Sequence, residues 1–234
     1  MFSLLQTDLQ HLTNPEKAVI YASFFKTGKG EYGESDQFLG LTVPQQRILA
    51  KKYITPSLEE IHSLLQSPIH EYRLTALLIL VLQYHKAVPQ DKEKIVQFYL
   101  AHTKQINNWD LVDTSADKIL GHYLLDKDKT VLFKLAHSSN LWERRIAIVA
   151  TFAFIKQNQF QETIHIAELL LHDSHDLIHK AVGWMLREVG KRDKVTLETF
   201  LQKHATKMPR TMLRYAIEKF PEPKRKYYLQ KKAI

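Results

Sequence analysis

The segment Asn107-Asn108-Trp109-Asp110-Leu111-Val112-Asp113 sets an indole and a carboxylate four residues apart. On a helix, residues at that spacing share a face, so Trp109 and Asp113 are expected to project side by side. Asn108 suits the capping position at the start of such a helix, and Asp110 complements the positive end of its dipole. Trp184 stands four residues after Lys180, which puts a second indole on the face of a basic side chain. Taken singly, each tryptophan is more simply a core residue and Asp113 a solvated helix acid. A carboxylate among cations and aromatic rings is different. It is electrostatically out of place unless it serves a positively charged partner.

The elements that must hold these residues are helices. Asn14-Pro15-Glu16 offers an N-cap followed by proline at the first helical position, and Thr42-Val-Pro-Gln45 and Ser57-Leu-Glu-Glu60 read as capping boxes. Apolar residues recur at helical spacing, as in Ile146, Val149, Phe152 and Ile155, and no stretch alternates apolar and polar residues. A large or basic residue returns at Arg73, Trp109, Arg145, Lys180 and Arg214, at intervals of 36, 36, 35 and 34. A shorter helical stretch precedes each, over 57–66, 89–103, 128–137, 160–172 and 193–204. One helical hairpin per 34–36 residues predicts an all-α chain, an α-solenoid of stacked HEAT-like hairpins forming one domain over 1–234. Equivalent positions would then line a concave basic groove. Arg73, Arg145, Lys180 and Arg214 are its expected cations, set to bind an anionic partner.

Composition narrows the function further. The 234 residues hold 33 Lys and Arg against 25 Asp and Glu, a formal charge of +8 that favours an anionic partner. There is no cysteine, which removes disulfides, Fe–S clusters, thiol catalysis and Cys-based zinc sites. The apolar run Ala76–Leu82 is far too short to span a bilayer, and the N-terminal residues do not read as a signal peptide. A soluble cytoplasmic monomer without a membrane role is the expectation. Gly28-Lys-Gly30-Glu-Tyr-Gly33 matches a dinucleotide fingerprint in letters only, since a helix rather than a strand precedes it. His175 and His179 share a helix face but lack the further ligands of a zinc motif, so no metal site is expected.

Across most of its length the chain resembles the AlkD family of DNA alkylation-repair glycosylases. The matching text is Asn14-Pro-Glu-Lys17, Phe38-Leu-Gly40, Asn108-Trp-Asp-Leu-Val-Asp113, Asn140-Leu-Trp-Glu-Arg-Arg145 and Ala181-Val-Gly-Trp-Met-Leu-Arg-Glu188. The resemblance implies hydrolysis of the N-glycosidic bond of cationic N3- and N7-alkylpurines in double-stranded DNA, with water as nucleophile, no lyase step and no cofactor. It implies Asp113 as the catalytic carboxylate, Trp109 and Trp184 against the deoxyribose at the lesion, and Arg145 on the adjacent backbone. It also implies that the base need not rotate out of the helix. A paralogue that binds DNA or unusual DNA structures without catalysis is the alternative. A HEAT-type protein scaffold would instead show apolar patches on the concave face, and no RNA-module signature is present.

Overall fold

A computed structural model describes residues 2–230, with side chains from residue 3 onward. Every regular element among them is helical. The helices gather into two compact units, residues 1–115 and 116–234. The first holds α1 (Phe2–His11), α2 (Pro15–Phe24), α3 (Val43–Lys52), α4 (Leu58–Leu65), α5 (His70–Lys86), α6 (Pro89–Ala101) and α7 (Trp109–Ser115). The second opens with a π-helical turn, Asp117–Gly121, followed by α8 (Thr130–Ala136), α9 (Leu141–Ala150), α10 (Phe152–Lys156) and α11 (Gln161–Leu169). It continues with α12 (Asp176–Arg192), α13 (Lys194–His204), α14 (Arg210–Ala216) and α15 (Glu222–Gln230).

The start signals act as their residue types require. Asn14 Oδ1 accepts from the Lys17 N–H at 2.9 Å, Thr42 N–H donates to Gln45 Oε1 at 2.9 Å, and Ser57 N–H donates to Glu60 Oε2 at 2.8 Å. Each satisfies backbone donors that a helix start leaves unpaired. Helices α4, α6, α8, α11 and α13 fall on the five stretches expected from the sequence, but α6 and α13 are longer than the α7 and α14 that follow them. The helices that follow them are α5, α7, α9, α12 and α14, and the fold class is the all-α, HEAT-like one.

Helix α5 organises the first unit. From His70 to Val81 every residue is buried, as expected of a helix packed on all sides. It lies against α3, α4, α6 and α7. Leu74, Leu77, Ile79 and Leu80 are at most 1% exposed, alongside Ile61, Leu64 and Leu65 of α4. In the second unit α12 has the same role, packed on α9, α11, α13 and α14. Gly183 is what lets α14 come so close, because a Cβ there would collide with the Met212 carbonyl and the Tyr215 side chain. Part of the Gly-Trp motif therefore serves packing.

Helix α2 departs from this pattern. None of its residues is buried, yet Val19, Ile20 and Phe24 are large and apolar, at 73%, 62% and 59% exposure. No described helix is long and apolar enough to cross a membrane.

Candidate functional site

Trp109 and Asp113 lie on α7, four residues apart, as the sequence reading placed them. Both are half-buried and line one cavity of about 460 Å³ inside the first unit. Asn108 is fully buried, and its Oδ1 accepts the Trp109 N–H at 2.8 Å, while Asp110 Oδ1 accepts the Leu111 N–H at 2.9 Å. These two side chains fix the start of α7 and hence the direction of its Trp–Asp face.

The cavity walls are aromatic. Phe25 stacks on Trp109 with ring centroids 5.3 Å apart and planes 16° from parallel, and on Phe38 at 5.1 Å and 19°. Phe24 presents its edge to Trp109 at 6.0 Å, and Tyr21 lies edge-on to Phe38 at 6.2 Å. The exposed Ile20 and Phe24 of α2 form its lip. An apolar helix left open to solvent is thus explained by what it encloses.

Behind the rings runs a buried ionic chain. His70 Nδ1 meets Asp36 Oδ2 at 3.0 Å, and His70 Nε2 meets Asp110 Oδ2 at 2.8 Å. Arg73 Nη2 donates to Asp36 Oδ1 at 2.6 Å and Nη1 to the Ser67 carbonyl at 2.8 Å. Burial opposes protonation of His70, but Asp110 and Asp36 outweigh it and hold the imidazole at a pKa of about 9. Burial likewise opposes the charge on Asp36, and the bonds from His70 and Arg73 prevail to hold its carboxyl below the usual range. The imidazolium packs against Phe25 and Phe38 with centroids 4.9 and 4.8 Å away, which adds a cation–π attraction. Beside it Glu71, 1% exposed, accepts the backbone N–H groups of Leu39, Gly40 and Leu41 at 3.0, 2.8 and 3.2 Å. This latch ties the loop carrying Phe38 to α5.

The expected cations divide. Arg73 and Arg145 are 4% and 5% exposed, so neither presents a phosphate-binding fork at the surface. Arg73 is committed to Asp36, and Arg145 Nη1 donates to the Leu177 carbonyl in the first turn of α12. The reading of these two as DNA contacts is corrected to positioning: a buried guanidinium must be paired internally. Lys180 is half-exposed and bridges to Asp176 at 2.8 Å, Arg214 is exposed, and Trp184 is half-buried beside Phe152 at 5.9 Å. These three belong to the second unit. The register also shifts. Arg145, Lys180 and Arg214 are each the fifth residue of their helix, and on α7 that place belongs to Asp113 rather than Trp109. The carboxylate stands where α9, α12 and α14 set a cation, while on α5 Arg73 is the fourth residue.

Two other motifs take structural roles. In the glycine loop, the Gly28 and Gly30 N–H groups donate to Glu31 and Glu34 at 2.9 Å, so carboxylates of the loop occupy the donors a phosphate would need. His175 Nδ1 caps α12 by accepting the Leu177 N–H at 3.1 Å, and His179 bonds the Asp173 carbonyl. Among the described residues no group of three or more His, Asp or Glu side chains could hold a metal ion. Sequence reasoning missed Asp36, His70, Glu71 and the wall residues Tyr21, Phe25 and Phe38. The ionic chain joins positions 36, 70 and 110, and no local spacing announces it.

Comparison with known proteins follows from this geometry. Residues 5–220 match the model of a family described as DNA alkylation repair enzyme. A predicted DNA alkylation repair enzyme from Enterococcus faecalis is similar in structure, with a TM-score of 0.72 and 20% identity over 90% of this chain and 97% of the other. The crystal structure of smu.31 from Streptococcus mutans UA159 is similar at a TM-score of 0.54 and 18% identity, over 77% and 93% of the two chains. At those identities the likeness is one of fold. No curated protein matches the chain.

Proposed function

This chain belongs to the DNA alkylation repair enzyme family, and from that membership we propose that it is a monofunctional glycosylase for cationic N3- and N7-alkylpurines in duplex DNA. The observation that carries the reading is Asp113 on an aromatic-walled cavity, beside Trp109, in a chain of net charge +8. Alkylation at N3 or N7 makes the base a cationic leaving group, so departure needs no protonation. The C1′–N bond breaks with its electron pair going to the base, which leaves neutral, and positive charge develops on the sugar. Asp113 stabilises that charge and takes the proton of the water that adds to C1′, and Trp109 attracts the same charge through its ring face. No cofactor enters this scheme. In the second unit Trp184 offers an indole, and Lys180 and Arg214 offer cations, to the DNA. Arg145, through the Leu177 carbonyl, holds the start of the helix that carries Lys180 and Trp184.

The test is release of free base from duplex containing N7-methylguanine. Asp113→Asn is expected to slow release at least about 100-fold. Affinity for the same duplex should hold or rise, because a negative charge near phosphate is removed. An Asn variant as fast as wild type refutes the role of Asp113. A wild-type protein that binds duplex and releases no base refutes the glycosylase itself.

A further inference from the structure

The first unit carries a pair of facing imidazoles that does not line the aromatic cavity. His62 lies in the last turn of α4 and His102 is the residue that ends α6. His62 Nδ1 and His102 Nε2 are 2.7 Å apart, and the ring centroids 5.0 Å apart with planes 72° from parallel. That centroid separation is the gap between the nitrogens plus one centre-to-edge length for each ring. Both nitrogens therefore lie on the line of centres, and their in-plane lone-pair directions point at one another.

His102 is held in this pose. Its Nδ1 meets the Phe98 carbonyl at 2.6 Å, and a carbonyl only accepts, so Nδ1 carries the hydrogen and Nε2 of the neutral ring the lone pair. Phe98 also stacks on the ring at 4.0 Å and 28°, which fixes its plane. An imidazole that donates one N–H to a backbone carbonyl and turns its other nitrogen outward is arranged as metal-ligating histidines are. The exposed His62, with its hydrogen on Nε2, offers a second lone pair to the same point. The pair His175 and His179 differs, because His175 Nδ1 and His179 Nε2 are spent on backbone groups.

We propose that His62 and His102 bind one divalent transition ion of the zinc class between α4 and α6, with water completing its shell. Two imidazole donors suit Zn²⁺, whereas Mg²⁺ and Ca²⁺ ask for oxygen. At a Zn–N length of about 2.0–2.1 Å and a tetrahedral angle, the two nitrogens stand about 3.3 Å apart. The gap must open by about 0.6 Å, which rotation of the exposed His62 side chain supplies. The hydrogen on His62 Nδ1 then passes through solvent to Nε2 of the same ring, which stays neutral. With two protein ligands the ion exchanges readily, unlike zinc in its four-ligand structural sites. Helices α4 and α6 both pack on α5, so a loaded site braces the first unit, whose stability then follows the free-ion concentration.

The test uses the full chain, freed of metal with a chelator and titrated calorimetrically with ZnCl₂ and, separately, MgCl₂. Zn²⁺ is expected to bind and Mg²⁺ not to. His62→Ala, which changes an exposed side chain, should weaken Zn²⁺ binding at least about tenfold and leave the metal-free melting temperature unchanged. His137→Ala, at another exposed histidine bonded to a backbone carbonyl, should bind as wild type does. Saturating Zn²⁺ should raise the wild-type melting temperature by at least about 3 °C and leave that of His62→Ala in place. The ring ¹⁵N signals of His62 Nδ1 and His102 Nε2 should both move on loading, which picks this site out among the 12 histidines. Equal Zn²⁺ binding by wild type and His62→Ala, or Zn²⁺ binding that leaves those two signals unmoved, overturns the proposal. So does Mg²⁺ binding as tight as that of Zn²⁺, or no uptake of Zn²⁺ at about 1 mM.

Discussion

The ion pair network around His70 makes the stability of the first unit depend on pH in a direction that can be worked out. An imidazole unperturbed at 6.5 is held at about 9 in the fold, against the cost of its own burial, by Asp110 and Asp36. The folded state therefore binds this proton more tightly than the unfolded chain does. Its stabilisation is fully present below about pH 6.5 and is lost as pH rises through about 9. The difference between those two values is worth about 3 kcal/mol, a large part of the stability of a domain. Urea denaturation at intervals from pH 6.5 to 9.5 should show stability falling by about that amount. The His70 ring protons, followed by NMR, should give a midpoint near 9. His70→Gln removes the titrating group and should flatten the profile over this window. It should also cost about 3–5 kcal/mol at pH 6.5, because the buried Asp36 and Asp110 lose the cation between them. If His70 titrates near 6.5, or the variant keeps the slope of the wild type, the assignment of a buried imidazolium here is wrong.

Three further outcomes follow from particular residues. Gly40 has φ of +85°, and a Cβ there would collide with the Asn14 carbonyl, so Gly40→Ala should cost at least about 2 kcal/mol, read as a lowered melting temperature. A variant as stable as wild type would show that the loop before α3 does not need this conformation. Arg73→Ala should behave as a stability mutation, losing about 3–5 kcal/mol with the salt dependence of DNA binding unchanged in protein that remains folded. Arg214→Ala should leave the melting temperature alone and lower the salt slope by about one. The reverse pattern would return Arg73 to the surface and remove Arg214 from it.

The all-helical class, the cap residues and the pairing of Trp109 with Asp113 on one helix face were legible in the sequence. Each depends on spacings of three or four residues, and local geometry obeys those directly. The roles of the arginines were not legible in the same way. Periodicity assigns a residue to a helix position, but whether that position meets water or a partner depends on what packs there. Asp36, far away in sequence, decides it for Arg73, and the first turn of α12 decides it for Arg145.

By itself the sequence determined an all-helical, basic, cysteine-free chain with an indole and a carboxylate presented together. Tertiary structure alone decided that this pair faces an aromatic chamber, since Tyr21, Phe24, Phe25 and Phe38 come from α2 and the segment after it and reach α7 only in the fold. It also decided that His70 is a buried cation. Both outcomes are set by long-range burial, which removes water from charges and rings that look ordinary in the linear chain and sets them against one another.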